Sequence, residues 1–161
     1  MQRKKEIIVV TLNNKNSYKN PFNENKLSQD LSNYILEECK GLNYSDELEI
    51  HIKTKFDITR EEKVNIINMI RSNYGIDVRE NVIYMDHLIK KNILLFIFGC
   101  LFIAYSFFIE DASATISEII LIIGWVGIWE VVYSIFFSEY KKRMQIKRLK
   151  QLANSRIIFF K

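Results

Sequence analysis

Proline occurs once, at Pro21, and cysteine twice, at Cys39 and Cys100. Two thiols build neither a disulfide framework nor a multi-cysteine metal site, and histidine adds only His51 and His87. His51 falls on the polar side of an alternating strand and His87 on a charged helix, so both read as solvated side chains. There is no glycine-rich phosphate loop and no Ser or Cys nucleophile beside a base. The acid pairs Glu37-Glu38 and Glu61-Glu62 suit solvated helix faces and helix-start charges. These absences point away from an enzyme and imply no metal and no cofactor.

The most informative absence is of one charge sign. Residues 92–140 contain no Lys or Arg and five acids, whereas residues 141–161 contain eight Lys/Arg and no acid. Residues 1–91 are nearly balanced, with 15 Lys/Arg against 14 Asp/Glu. Such sharp changes mark segments in different solvents. Within the middle block, residues 92–109 and 116–137 are apolar runs, the second carrying Glu118 and Glu130. About 20 apolar residues, with a range of about 17–25, cross a ~30 Å hydrocarbon core as a helix. The expectation is a transmembrane helical hairpin with an acidic link at Glu110 and Asp111. The competing reading, two core helices of a soluble protein, asks too small a domain to cover some 40 nearly basic-free residues.

Orientation follows from the flanks. Lys90 and Lys91 precede the first run, and Lys141, Lys142, Arg143, Lys147, Arg148 and Lys150 follow the second. Basic flanks stay cytoplasmic, so both termini are expected in the cytoplasm. Arg3, Lys4 and Lys5 resemble a signal n-region, but the apolar run after them is too short for secretion.

Residues 1–91 read as a small α/β domain with a juxtamembrane helix. Residues 6–12 are rich in β-branched side chains and predict a strand. Residues 13–25 read as a loop, and residues 27–40 as a helix closed by Gly41. Residues 47–54 alternate Leu48, Ile50 and Ile52 against Glu49, His51 and Lys53, the mark of a half-buried strand. Thr59 and Glu62 form a capping box. The helix it opens is expected to bury Val64, Ile67 and Ile70 and to end near Gly75. Val78, Val82, Met85 and Ile89 then predict a third helix running into the first span. Residues 138–161 form a basic cytoplasmic tail, with 157–160 expected to return to the sheet as a short final strand. The fold class is thus an α+β membrane protein: domain 1–91, hairpin 92–137, tail 138–161.

Several of these segments carry a resemblance. Pro21-Phe22, Tyr34-Ile35-Leu36-Glu37-Glu38, Leu48-Glu49-Ile50-His51-Ile52 and above all Gly124-Trp125-Val126 with Trp129 are similar to a broad bacterial family of two-span membrane proteins. The likeness covers nearly the whole chain, with Glu130 as a departure from the motif. It implies a topology and a bacterial inner-membrane setting, and no reaction.

Glu130 lies seven residues before Phe137, about 10 Å inside the cytoplasmic boundary at 1.5 Å per residue. An ionised acid there costs about 2.5 kcal/mol or more unless protonated, paired or wet. Gly127, Glu130 and Ser134 share a helical stripe with Gly124 nearby, and small residues allow close helix approach. One reading is a protonated Glu130 bonded across a helix interface; the other is a glutamate ring lining a pore in an oligomer. Trp125 and Trp129 read as packing residues. The tail cations Lys141, Lys142, Arg143, Lys147, Arg148 and Lys150 suit anionic lipid, with phosphate binding as the alternative.

Two function classes follow. One is a homo-oligomeric effector or ion channel whose cytoplasmic domain senses a protein or nucleotide signal, as two-span effectors of bacterial antiviral defence do by analogy. The other is a membrane-anchored scaffold binding a cytoplasmic partner.

Overall fold

The computed structural model describes residues 5–109 and 113–160. Glu110 and Asp111 of the acidic link, and Arg3 and Lys4, lie outside the described residues. The chain is mixed α+β and separates into two compact units, Met1–Glu80 with Ile146–Lys161 and Asn81–Gln145. Its elements in order are β1 (Lys5–Leu12), β2 (Lys19–Asn20), β3 (Asn23–Leu27), α1 (Gln29–Glu38), β4 (Glu47–Thr54) and α2 (Arg60–Ile109). There follow α3 (Ala114–Tyr133), a π-helical segment (Ser134–Glu139), α4 (Tyr140–Ala153) and β5 (Arg156–Phe160).

The first unit is built on a three-stranded sheet of order β1–β4–β5, parallel throughout. Ile8 sits beside Ile50 and Ile50 beside Ile157; Val10 sits beside Ile52 and Ile52 beside Phe159. Strand alternation sends these residues to one face, where Ile8, Val10, Leu12, Leu48, Ile50 and Ile52 are buried. Leu31 and Ile35 of α1, Ile66, Ile70 and Tyr74 of α2, and Leu149 and Leu152 of α4 join that same core. Each such aliphatic side chain contributes about 1.5–3 kcal/mol relative to an exposed one. The final strand expected at 157–160 is thus present, as part of β5 against β4.

On the other sheet face Ile7 and Val9 are about half exposed. At its centre Glu49 accepts from Lys5 Nζ at 3.2 Å, lies 3.2 Å from His51 Nε2 and 3.9 Å from Arg156. The His51 hydrogen bond and then Lys5 hold the Glu49 carboxyl below the usual carboxylate range. This contribution to stability is present above the unfolded carboxyl pKa and is lost as pH falls through the depressed one.

Local chemistry explains most boundaries. Gly41 ends the α1 region at φ 89°, a left-handed conformation that side chains resist. Thr59 N–H donates to Glu62 at 2.8 Å and Glu62 N–H to Thr59 Oγ1 at 3.2 Å, so the capping box opens α2. Three expectations are corrected. Residues 13–25 are not all loop, since β2 pairs antiparallel with β3 there. The helix does not end near Gly75 but continues to Ile109, because a lone glycine costs only about 1 kcal/mol and has open space around it. Its buried stripe is Ile66, Met69, Ile70 and Tyr74, leaving Val64 half exposed. The large Tyr74 decides that rotation: it is fully buried and its hydroxyl donates to the Ser32 carbonyl at 3.0 Å.

Candidate functional site

Two regions concentrate polar and small residues with structural purpose. The first lies in the unit Asn81–Gln145, where the later part of α2 packs against α3. Arg60–Ile109 and Ala114–Ala153 are long and apolar enough to cross a membrane, and only 17% of the most apolar stretch of each is buried.

The two helices meet along a heptad seam. Met85, Asn92, Gly99 and Ser106 recur every seven residues on α2 and are buried. Ser117, Gly124 and Val131 do the same on α3, with Ser134 continuing the line. A 3.5-residue repeat keeps one seam facing its partner through a left-handed supercoil. Backbones touch at the middle: a Cβ on Gly124 would stand 2.8 Å from the Gly99 carbonyl oxygen and 2.7 Å from Ile103 Cγ1. Gly127, half-buried beside it, leaves ordinary room, 3.6 Å or more.

Polar clasps hold both ends of the seam. At one end Ser117 Oγ donates to the Ser106 carbonyl at 2.8 Å. At the other, Asn92 Nδ2 donates to Ser134 Oγ at 2.9 Å and to Glu139 Oε1 at 3.0 Å. Arg143 reaches the second Glu139 oxygen at 3.4 Å. Asn92 Oδ1 is left buried without a partner.

Glu139 reaches the seam only through the π segment. Seam positions 117, 120, 124, 127, 131 and 134 step by three and four, so 138 is next. Instead Ser138 is exposed and Glu139 buried, a step of five. The six-residue π segment Ser134–Glu139 absorbs the extra residue. Such bulges are frequent at functional sites.

Glu130 lies elsewhere. Three residues advance about 300° around a helix, which leaves Glu130 about 80° from the seam centre. Gly124, Gly127 and Ser134 face α2, while Glu130 is exposed beside Val126, Tyr133 and Phe137. Among the described residues it has no hydrogen bond or ion pair. Trp125 and Trp129 are 51% and 65% exposed, directed away from the seam.

The tail cations divide between the units. Lys141 is exposed, Lys142 lies 4.8 Å over the Tyr84 ring, and Arg143 pairs with Glu139. In the other unit, Arg148 is buried, stacked 4.2 Å over Tyr44 and bonded to the Leu42 carbonyl and Gln151. Lys147 and Lys150 are exposed and line the second region, a cavity of about 1000 Å³ in the sheet unit. It is lined by the 43–49 segment together with Lys147, Lys150, Gln151 and 154–156.

Cys39 is buried and its thiol is pushed up to about 11 by burial, which makes it unreactive. No group of three His, Cys, Asp or Glu among the described residues is placed to hold a metal. Sequence reasoning missed Asn92, Ser106, Ser117 and Glu139. The heptad recurrence of small and polar residues through otherwise apolar runs was the available signal. Comparison with protein-family models, curated proteins and solved structures finds no match for this chain.

Proposed function

We propose that the protein is a bacterial inner-membrane protein that works as a homo-oligomer, an effector or ion channel whose cytoplasmic domain receives a signal. The observation that carries this is Glu130, exposed on an otherwise apolar face without a partner in its own chain. In hydrocarbon, such a group needs a polar neighbour, water or a proton. The exposed side chains of the first span at the corresponding depth, Leu94, Phe96, Ile97 and Phe98, are apolar. A neighbour's second span therefore supplies the contact: copies of Glu130 gather around an axis with Val126, Tyr133 and Phe137. Two spans do not enclose a pore alone, but several copies do. Lys141, Lys142 and Arg143 sit at the anionic lipid surface, where each contributes about 1 kcal/mol.

Ion flux in liposomes tests this reading. Glu130→Gln keeps shape and hydrogen bonding while removing charge. The oligomer is expected to persist, with cation preference at least several-fold lower. Identical flux and selectivity in wild type and Glu130→Gln removes the charged ring and leaves Glu130 as interhelical glue.

Topology is tested separately. With Cys39 and Cys100 replaced by Ser, a cysteine at position 113 is expected to react with an impermeant thiol reagent outside intact cells. Cysteines at either chain end are expected to react only after lysis. Labelling of the ends from outside overturns the orientation.

A second reading, a membrane-anchored adaptor, is favoured by the uncovered sheet face. Parallel sheets ordinarily carry cover on both faces, and here Ile7 and Val9 stand half exposed. Absence of flux, with capture of a cytoplasmic protein that Val9→Asp abolishes, selects that reading.

A further inference from the structure

The cavity of the sheet unit is a built feature. Its 43–46 wall is pinned to α4 by side chains that do nothing else. Gln151 Nε2 donates to the Asn43 carbonyl at 3.1 Å and to the Asp46 carbonyl at 2.7 Å. Arg148 donates to the Leu42 carbonyl and to Gln151 Oε1. The guanidinium also supports one face of the Tyr44 ring, and the residue remains 40% exposed. Loop segments held this way keep their geometry without a ligand present.

Charged groups of both signs line the cavity. Lys147 and Lys150, three residues apart on one helix face, have no ion-pair partner among the described residues. Arg156 joins them at the start of β5, with a side chain 72% exposed and only a 3.9 Å approach to Glu49. Tyr44, Ser45, Asp46 and Glu47 line the same cavity, as does Glu49 beside Arg156. Lys147 and Lys150, unpaired, and Arg156, largely exposed beside Glu49, suit a phosphate group, Arg through its fork and Lys as a point charge. An exposed aromatic face suits a planar ring, and carboxylates accept from hydroxyl and amino groups. A volume of about 1000 Å³ holds a molecule of nucleotide size.

We propose that this cavity binds a nucleotide, with its phosphate on Lys147, Lys150 and Arg156, its base against Tyr44, and its hydroxyl or amino groups on Asp46 and Glu47. This deepens the reading of the domain as signal-receiving and rests on it for its consequence. Binding itself requires neither an oligomer nor a pore.

The test uses the full chain in discs of zwitterionic lipid. Probes are the four ribonucleoside 5′-monophosphates, adenosine and inorganic phosphate, followed by calorimetry. At least one nucleotide is expected to saturate at least tenfold more tightly than inorganic phosphate or adenosine. Lys147→Glu with Lys150→Glu is expected to weaken it tenfold or more, without lowering the melting temperature. Tyr44→Ala is expected to weaken nucleotide but not phosphate, while Lys141→Glu and Glu130→Gln leave binding unchanged. Retained binding with lost cation selectivity in Glu130→Gln separates this site from the pore. Failure of every nucleotide to saturate overturns the proposal. So does binding that survives the double charge reversal, or uptake that requires anionic lipid in the disc.

Discussion

Gly124→Ala is expected to destabilise the apolar helix pair by about 1–3 kcal/mol, the range for forcing volume into a filled interface. Gly124→Leu is expected to separate the helices. The added Cβ meets the Gly99 carbonyl oxygen at 2.8 Å and Ile103 Cγ1 at 2.7 Å. Rotating Ile103 relieves only one of these contacts; the other is backbone and yields only if the helices part. Gly127→Ala is the matched control, since its Cβ finds nothing nearer than 3.6 Å. There the lost glycine flexibility predicts a neutral or slightly stabilising change, up to about 1 kcal/mol. Denaturation of the purified protein in mixed detergent micelles, followed by helix content, measures both. Equal stability of Gly124→Ala and Gly127→Ala sinks the account of the crossing.

Deletion of Ser138 is expected to be tolerated, an unusual outcome for removing one residue from within a long helix. The π segment carries one residue more than an α-helix would between Ser134 and Glu139. Removing Ser138 sets these two residues four apart, and both acceptors of the Asn92 amide stay on the seam. An in-frame deletion of Val126 is the contrast. It turns everything after it by about 100° relative to the preceding seam, and the purified yield is expected to fall severely. Glu139→Leu leaves one Asn92 amide hydrogen buried without an acceptor, a loss of about 1–3 kcal/mol, which Glu139→Gln largely restores. If deletion of Ser138 proves as damaging as deletion of Val126, the bulge is not what places Glu139.

How far the sequence led depended on whether a residue's signal was local. Thr59 and Glu62 state their capping box within four positions, and the alternation from Leu48 to Ile52 states a strand within five. The two long apolar helices were evident from composition alone. Gly75 misled because a glycine marks a stop only when its neighbours also prefer one, and α2 gains Tyr74 packing there instead. The rotation of that helix, Ile66 over Val64, was decided by the Ser32 contact, 42 residues away in sequence. Residues 127, 130 and 134 satisfy a helical spacing, yet only Gly127 and Ser134 face α2. The difference of about 60° shows only against a partner helix. Arg148 looked like its basic neighbours, although the Leu42 carbonyl and the Tyr44 ring occupy it while Lys147 and Lys150 remain open. The extra residue before Glu139 is likewise silent until a seam exists to be kept.

The order of the strands has a consequence for biosynthesis. The sheet's third strand is drawn from residues 156–160, whereas its first two are complete by residue 54. The ribosome therefore delivers both long apolar helices before it delivers the segment that finishes the sheet. Until then β4, the central strand, has one edge unpaired, with Glu49 and Lys53 on its open face. Two parallel strands are marginal by themselves. The domain thus waits, incomplete, until the apolar helices have been synthesised. A chain truncated before Arg156 exposes that edge permanently, which is the state quality-control proteases recognise.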